Sequence, residues 1–178
     1  VLNHGDLSVL SFHATKVFNT FEGGAIICPD AESKARIDQL KNFGHAGEID
    51  VVAPGINGKL SEFNAALGLL QLEYIDEAIA KRKAIDENYR RRLLEVTGIQ
   101  CLQDSGELVA NYAYFPILVD DSYFLSRDAL YDHLKTKGIH PRRYFYPLIS
   151  EFPMYRGFPS SNAETLPLAL NAASQVLC

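Results

Sequence analysis

The chain has 178 residues, 47% of them hydrophobic and 22% charged, with a formal net charge of −5. That apolar share is enough for an ordinary core, and the mixed signs leave no continuous basic field for nucleic acid or anionic lipid. No apolar run approaches the roughly 20 residues of a membrane span, and no secretory signal is visible, so a cytoplasmic protein with no nucleic-acid or membrane partner is expected.

Residues 7–12 form a short, mostly apolar run that reads as a buried strand leading into a loop, and residues 24–28 form a second. From Asp30 the pattern turns helical: Asp30 can cap, Glu32 lies in the first turn, Ile37 and Leu40 share a face, and Gly44 ends the run. Gly47, Pro54, Gly55 and Gly58 then mark a loop. Ser61 is a plausible cap for a long helical region ending before Thr97-Gly98, with Phe63, Ala66, Leu67, Leu70, Tyr74, Ile75 and Ile79 spaced by three or four. Its length predicts a bend or break near residues 68–72.

After Gly98 the composition changes. Residues 99–102 and 112–119 read as strands, and residues 126–137 as a helix closed by Gly138. From Ile139 onward the chain is rich in Pro, Tyr and Arg. This is an α+β module joined to a larger domain near residue 80. Both ends read as internal to a longer protein: no Met begins the chain, and residues 175–178 resemble the start of a strand. The three cysteines, Cys28, Cys101 and Cys178, are odd in number and far apart, which suits reduced thiols in core or strand positions. No metal site is expected.

The chemistry concentrates in Ser11-Phe12-His13-Ala14-Thr15-Lys16. A lysine in a loop just beyond a strand is placed to present an uncharged amine to an aldehyde when desolvation or nearby positive charge lowers its pKa. Ser11, Thr15 and backbone amides suit a phosphate, and Ala14, Gly23 and Gly24 let backbone approach a planar ligand closely. Taken singly these features are bland. A loop lysine is ordinarily a solvated charge, and Glu22-Gly23-Gly24 an ordinary tight turn.

Together they resemble the Schiff-base signature of the DegT/DnrJ/EryC1/StrS aminotransferases. The resemblance extends through Lys41-Asn42-Phe43-Gly44-His45, the run from Gly55 to Ala66, Gln71-Leu72-Glu73, Tyr89 and Leu93, Gly138-Ile139 and Tyr146-Pro147-Leu148, and so covers essentially the whole chain. It implies an α/β protein of the pyridoxal-phosphate (PLP) dependent transferase fold type I, in the manner of aspartate aminotransferase. Residues 1–80 would be the C-terminal part of the large PLP-binding α/β domain, and residues 81–178 most of the small C-terminal α+β domain. Lys16 matches the lysine that holds PLP and moves a proton between cofactor and substrate carbons, and Ser11 a phosphate-binding hydroxyl. Asn57 matches an asparagine that reaches the phosphate of the neighbouring subunit, which implies a homodimer.

The string from Ser11 to Gly24 looks most like family members that aminate a 4-keto-6-deoxy sugar on a thymidine diphosphate carrier, with glutamate as donor. Lysine in place of the histidine of the dehydratase relatives favours transamination. The family also pairs the pyridine nitrogen with an acidic residue upstream of the lysine and stacks an aromatic or similar side chain on the ring. Neither is matched in this span, so the chain by itself is expected to bind PLP weakly and transaminate poorly.

Among the remaining candidates, His13 reads as a packing or hydrogen-bonding residue near the cofactor rather than a general base. Arg142 and Tyr144, with Arg143 and Tyr146, suit a diphosphate and a base or sugar, against the alternative of an exposed basic turn over the core. Asn57 has its own structural alternative, a turn residue at an unusual backbone angle. Lys81-Arg82-Lys83 and Arg90-Arg91-Arg92 read as solvated helix faces, partly paired with Glu87 or Glu95. Two other function classes stay open at this point: a non-catalytic dimerisation module and a PLP-free sugar-nucleotide binder, each built on the same scaffold.

Overall fold

The computed structural model describes residues 2, 4–103, 106 and 108–178. They divide into two compact units, Val1–Ile79 and Ala80–Cys178.

In the first unit, β1 (Ser8–Ser11) and β2 (Gly24–Ile27) pair antiparallel, with Ser8 opposite Ile27 and Ser11 opposite Gly24. The expected strands therefore form, but β1 is not buried. A two-stranded ribbon has two faces, and side chains alternate between them: Ser8 and Leu10 are half-buried, whereas Val9 is 74% exposed.

Helix α1 (Ala31–Lys41) starts where the sequence places it, with the Asp30 carboxylate accepting the Ser33 N–H at 2.7 Å. It stops at Asn42 because Phe43 and Gly44 turn left-handed, at φ of 59° and 85°. Residues 42–58 then fold back onto the end of α1. Ile56 N donates to Leu40 O and Gly58 N to Lys41 O, both at 2.8 Å, and Asn42 and Asn57 form an antiparallel bridge.

Helix α2 (Glu62–Leu93) runs 32 residues without interruption, which overturns the expected break near residues 68–72. Gly68 is there for packing. A Cβ at that position would come within 2.9 Å of Thr20 Cγ2, so glycine lets the helix lie directly against the buried Thr20. The predicted Ser61 cap is present, its Oγ accepting the Asn64 N–H at 3.2 Å.

In the second unit, β3 (Ile99–Cys101), β4 (Ile117–Val119) and β5 (Val176–Leu177) form an antiparallel sheet in that order. Helix α3 (Arg127–Thr136) is capped by Ser126, whose Oγ accepts the Ala129 N–H at 3.2 Å, and Gly138 follows it at φ 74°. Val119, Leu130 and Leu177 form the core, with Ile99, Ile117, Tyr123, Leu125, Tyr131 and Leu134 packed around them.

The strand expected over residues 112–119 shrinks to β4. Tyr112 turns left-handed at φ 52°, and Arg82 Nη1 donates to the carbonyls of Tyr112 and Ala113 at 3.3 and 3.5 Å, outside any ladder. Helix α4 (Pro167–Gln175) was not anticipated. Its C-terminal carbonyls are met by Arg127, 5% exposed, whose Nη1 donates to Ala173 O at 2.8 Å and to Val176 O at 3.1 Å.

The expected solvated basic faces are mixed in character. Lys83 pairs with Glu87 at 3.8 Å, but Arg90 Nε donates to the buried Asp86 at 2.6 Å, and Arg91 and Arg92 bond Asn88.

Candidate active site

Ser11 ends β1 and Gly24 starts β2, so their pairing closes the Lys16 segment into a loop. Within it Phe12 N donates to Gly23 O at 2.8 Å, Thr20 N to Phe12 O at 2.9 Å and Lys16 N to His13 O at 2.9 Å. Lys16 is exposed and has no ion-pair partner among the described residues. Ser11 Oγ accepts one long N–H from His13, at 3.4 Å, which leaves its own proton free to donate.

His13 shapes the turn. Its Nδ1 accepts the Thr15 N–H at 3.2 Å and lies 3.0 Å from Thr15 Oγ1, while Nε2 faces the Glu22 carboxylate at 3.7 Å. An Nδ1 that accepts an N–H carries no proton, so the ring proton belongs on Nε2, toward Glu22.

Thr20 and Asn64, which carry no motif signal of their own, and Gly68, expected only at a helix break, fix this loop. Thr20, 2% exposed, donates its hydroxyl to Glu22 O at 2.8 Å. Asn64, in the first turn of α2, donates from Nδ2 to Thr20 O at 2.6 Å and to Glu22 O at 2.7 Å. Gly68 gives the helix its close approach to Thr20. Gly23 is required where the loop closes: at φ 153° a Cβ would meet Thr20 Oγ1 at 2.5 Å and Leu60 Cδ1 at 2.8 Å.

Asn57 is exposed, its backbone held by the bridge to Asn42, and its side chain has no intrachain hydrogen bond among the described residues. Its φ is not left-handed, unlike those of Phe21, Phe43 and Tyr112, so the unusual-angle alternative for Asn57 fails. Lys59, two residues on, donates to Asn42 Oδ1 at 2.8 Å and lies 4.5 Å from the Phe43 ring centroid. The run after Asn57 passes beside the loop closure, where Glu22, Gly23, Gly24, Gly58, Lys59, Ser61 and Asn64 line a cleft of about 430 Å³.

Arg142 and Tyr144 belong to the second unit. The Arg142 backbone exchanges two 2.8 Å hydrogen bonds with Cys178, and its side chain is exposed. Tyr144 stacks on Phe145 at a centroid distance of 3.9 Å and packs tilted against Tyr114 at 4.5 Å. Its hydrogen bond to Tyr114 raises the Tyr144 phenol above its ordinary value. Arg143 instead packs on the Tyr131 ring at 4.1 Å and faces Asp128 at 2.9 Å. The three cysteines are free thiols, as expected, and each is half-buried. No metal-binding cluster of His, Cys, Asp and Glu is found among the described residues, and no helix there is long and apolar enough to cross a membrane.

The profile of the DegT/DnrJ/EryC1/StrS aminotransferase family matches residues 1–178. The chain belongs to this family. Two curated relatives are dTDP-4-amino-4,6-dideoxy-D-glucose transaminases. That of Shigella dysenteriae is 51% identical over 178 residues, all of this chain and 48% of the relative, and that of Escherichia coli is 55% identical over 158 residues, 89% of this chain and 43% of the relative. The crystal structure of DesI in the presence of its TDP-sugar product is 37% identical and superposes with a TM-score of 0.87, over 97% of this chain and 44% of that one. The fold is accordingly part of the α/β fold type I shared by the PLP-dependent sugar aminotransferases. The chain spans a little under half the length of these family members.

Proposed function

We propose that the protein carrying this chain transfers an amino group to a nucleotide-linked keto sugar of the dTDP-4-keto-6-deoxyglucose type, with glutamate as donor and PLP as coenzyme, and acts as a homodimer. The two dTDP-sugar transaminases at 51% and 55% identity support the substrate class. The observation that carries the reading is the loop between β1 and β2, which presents an unpaired lysine amine five residues past a hydroxyl that is free to donate.

The residues present fit two ends of the coenzyme. Lys16 Nζ would attach to its aldehyde carbon, and Ser11 Oγ would donate to its phosphate. When bound, PLP supplies the electron-withdrawing ring that makes proton removal from the amino donor feasible. Lys16 would hold and move that proton at its Nζ. Asn57, with a free side-chain amide on a braced backbone, suits a contact to the phosphate held by the partner subunit. Arg142, exposed beside the stacked Tyr144, is assigned to the anionic substrate, where a guanidinium can grip phosphate oxygens in pairs. A segment outside this span would supply the acid for the ring nitrogen.

Borohydride reduction of the full-length protein followed by peptide mapping tests the assignment. The coenzyme should be found covalently on Lys16, and Lys16→Ala should abolish the adduct. A label on another lysine, or none, would overturn the reading.

A further inference from the structure

The Lys16 loop is fastened locally by short backbone bonds, but its far end is held by one side chain 42 and 44 residues away in sequence. Asn64 Nδ2 has two protons, and both are used, one on Thr20 O at 2.6 Å and one on Glu22 O at 2.7 Å. The amide cannot flip without facing an oxygen to two carbonyls. Its orientation is further set by Ser61, whose hydroxyl contacts Asn64 Oδ1 while its oxygen accepts the Asn64 N–H.

The two carbonyls flank Phe21, which stands at φ 63°, in the left-handed region that a phenylalanine rarely adopts. The surrounding structure must over-determine such a backbone. Thr20 and Glu22 are the residues on either side, and Thr20 Oγ1 adds a third bond to the same Glu22 carbonyl at 2.8 Å. Thr20 N in turn donates to Phe12 O, next to Ser11 and at the root of the turn that carries Lys16.

We infer that Asn64 is a positioning residue for the proposed lysine chemistry: its side-chain amide locks the left-handed turn at Phe21 and so sets where the loop presents the Lys16 amine. This rests on the reading of Lys16 given above. Asn64 is not itself catalytic; it acts through the carbonyls of Thr20 and Glu22. A displacement of about 1 Å in a reacting group is enough to cost on the order of 100-fold in rate, so a residue far from the reacting atoms can govern turnover.

The test compares Asn64→Asp with wild type in the full-length protein. Aspartate keeps the size and the cap but turns both donors into acceptors facing two carbonyls. In the coenzyme-free protein, amide hydrogen exchange over residues 12–23 should accelerate. In the loaded protein, the pH midpoint of the coenzyme absorption band should shift, and the half-reaction with the amino donor should slow by roughly 10–100-fold with its apparent affinity little changed. Asn64→Ser, which cannot reach the carbonyls but adds no charge, should act in the same direction and less strongly. Unchanged exchange in the loop would overturn the proposal, as would faster exchange with wild-type band and rate, or a rate loss matching the unfolded fraction alone. If wild-type protein carries no coenzyme on Lys16, the functional reading fails separately, and the exchange data still decide whether Asn64 fixes the loop.

Discussion

Replacing Gly68 by alanine sets two effects against each other. Inside a long helix, alanine gains about 1 kcal/mol over glycine in helix propensity. The added methyl would stand 2.9 Å from Thr20 Cγ2, inside the roughly 3.5–4.0 Å of an ordinary carbon contact. Thr20 cannot yield cheaply. It is 2% exposed and β-branched, and rotating it away would break its hydroxyl bond to Glu22 O at 2.8 Å. Overpacking of this kind costs about 1–3 kcal/mol, so Gly68→Ala should destabilise by about 0–2 kcal/mol net once the propensity gain is subtracted. Thr20→Ser removes the opposing methyl and keeps the hydroxyl. On that background Gly68→Ala should turn neutral or stabilising, with a coupling of about 1–2 kcal/mol between the two sites. Urea unfolding of the four full-length proteins measures the cycle, and hydrogen exchange over residues 12–23 localises it. A Gly68→Ala protein about 1 kcal/mol more stable than wild type, with no coupling to Thr20→Ser, would refute the claim that α2 is pressed against the lysine loop.

Other perturbations follow from the same geometry. Arg127→Met should cost about 3 kcal/mol, because the carbonyls of Ala173 and Val176 lose a buried charged donor; a loss below about 1 kcal/mol in unfolding experiments would show that this arginine is dispensable. The Ser33 N–H holds the Asp30 carboxyl below its ordinary value, so the folded pKa is the lower one. Its contribution to α1 is present above the ordinary carboxylate range and fades as pH falls through that depressed value. The NMR shift of the Ser33 amide should report a midpoint below that of a free aspartate, and a midpoint at or above it would contradict the cap.

Where the determinants are short-range, the sequence sufficed. Asp30 and Ser61 each cap a helix because a side-chain oxygen reaches an amide three residues on, a relation written in adjacent letters, and Ser126, read as the first helical residue, is a third such cap. The β1 and β2 runs on either side of Lys16 were legible for the same reason, as were Val176 and Leu177 as strand residues. The candidate site was legible only in part. Ser11, Lys16 and Asn57 stood out through their motif, whereas Thr20 and Asn64 looked like an ordinary loop threonine and a polar residue in a first helical turn.

The sequence by itself determined most element types and their starts and pointed to the loop proposed to bear the chemistry, since propensity, capping and periodicity act within a few residues. Tertiary structure alone decided that α2 stays unbroken at Gly68, that Val9 faces outward, that the run before β4 turns at Tyr112, and that Arg127 meets the end of α4. Three of those outcomes involve atoms brought together from distant positions, Gly68 with Thr20, Arg82 with the carbonyls of Tyr112 and Ala113, and Arg127 with Ala173 and Val176. A glycine reads as a helix breaker until the side chain it makes room for is known.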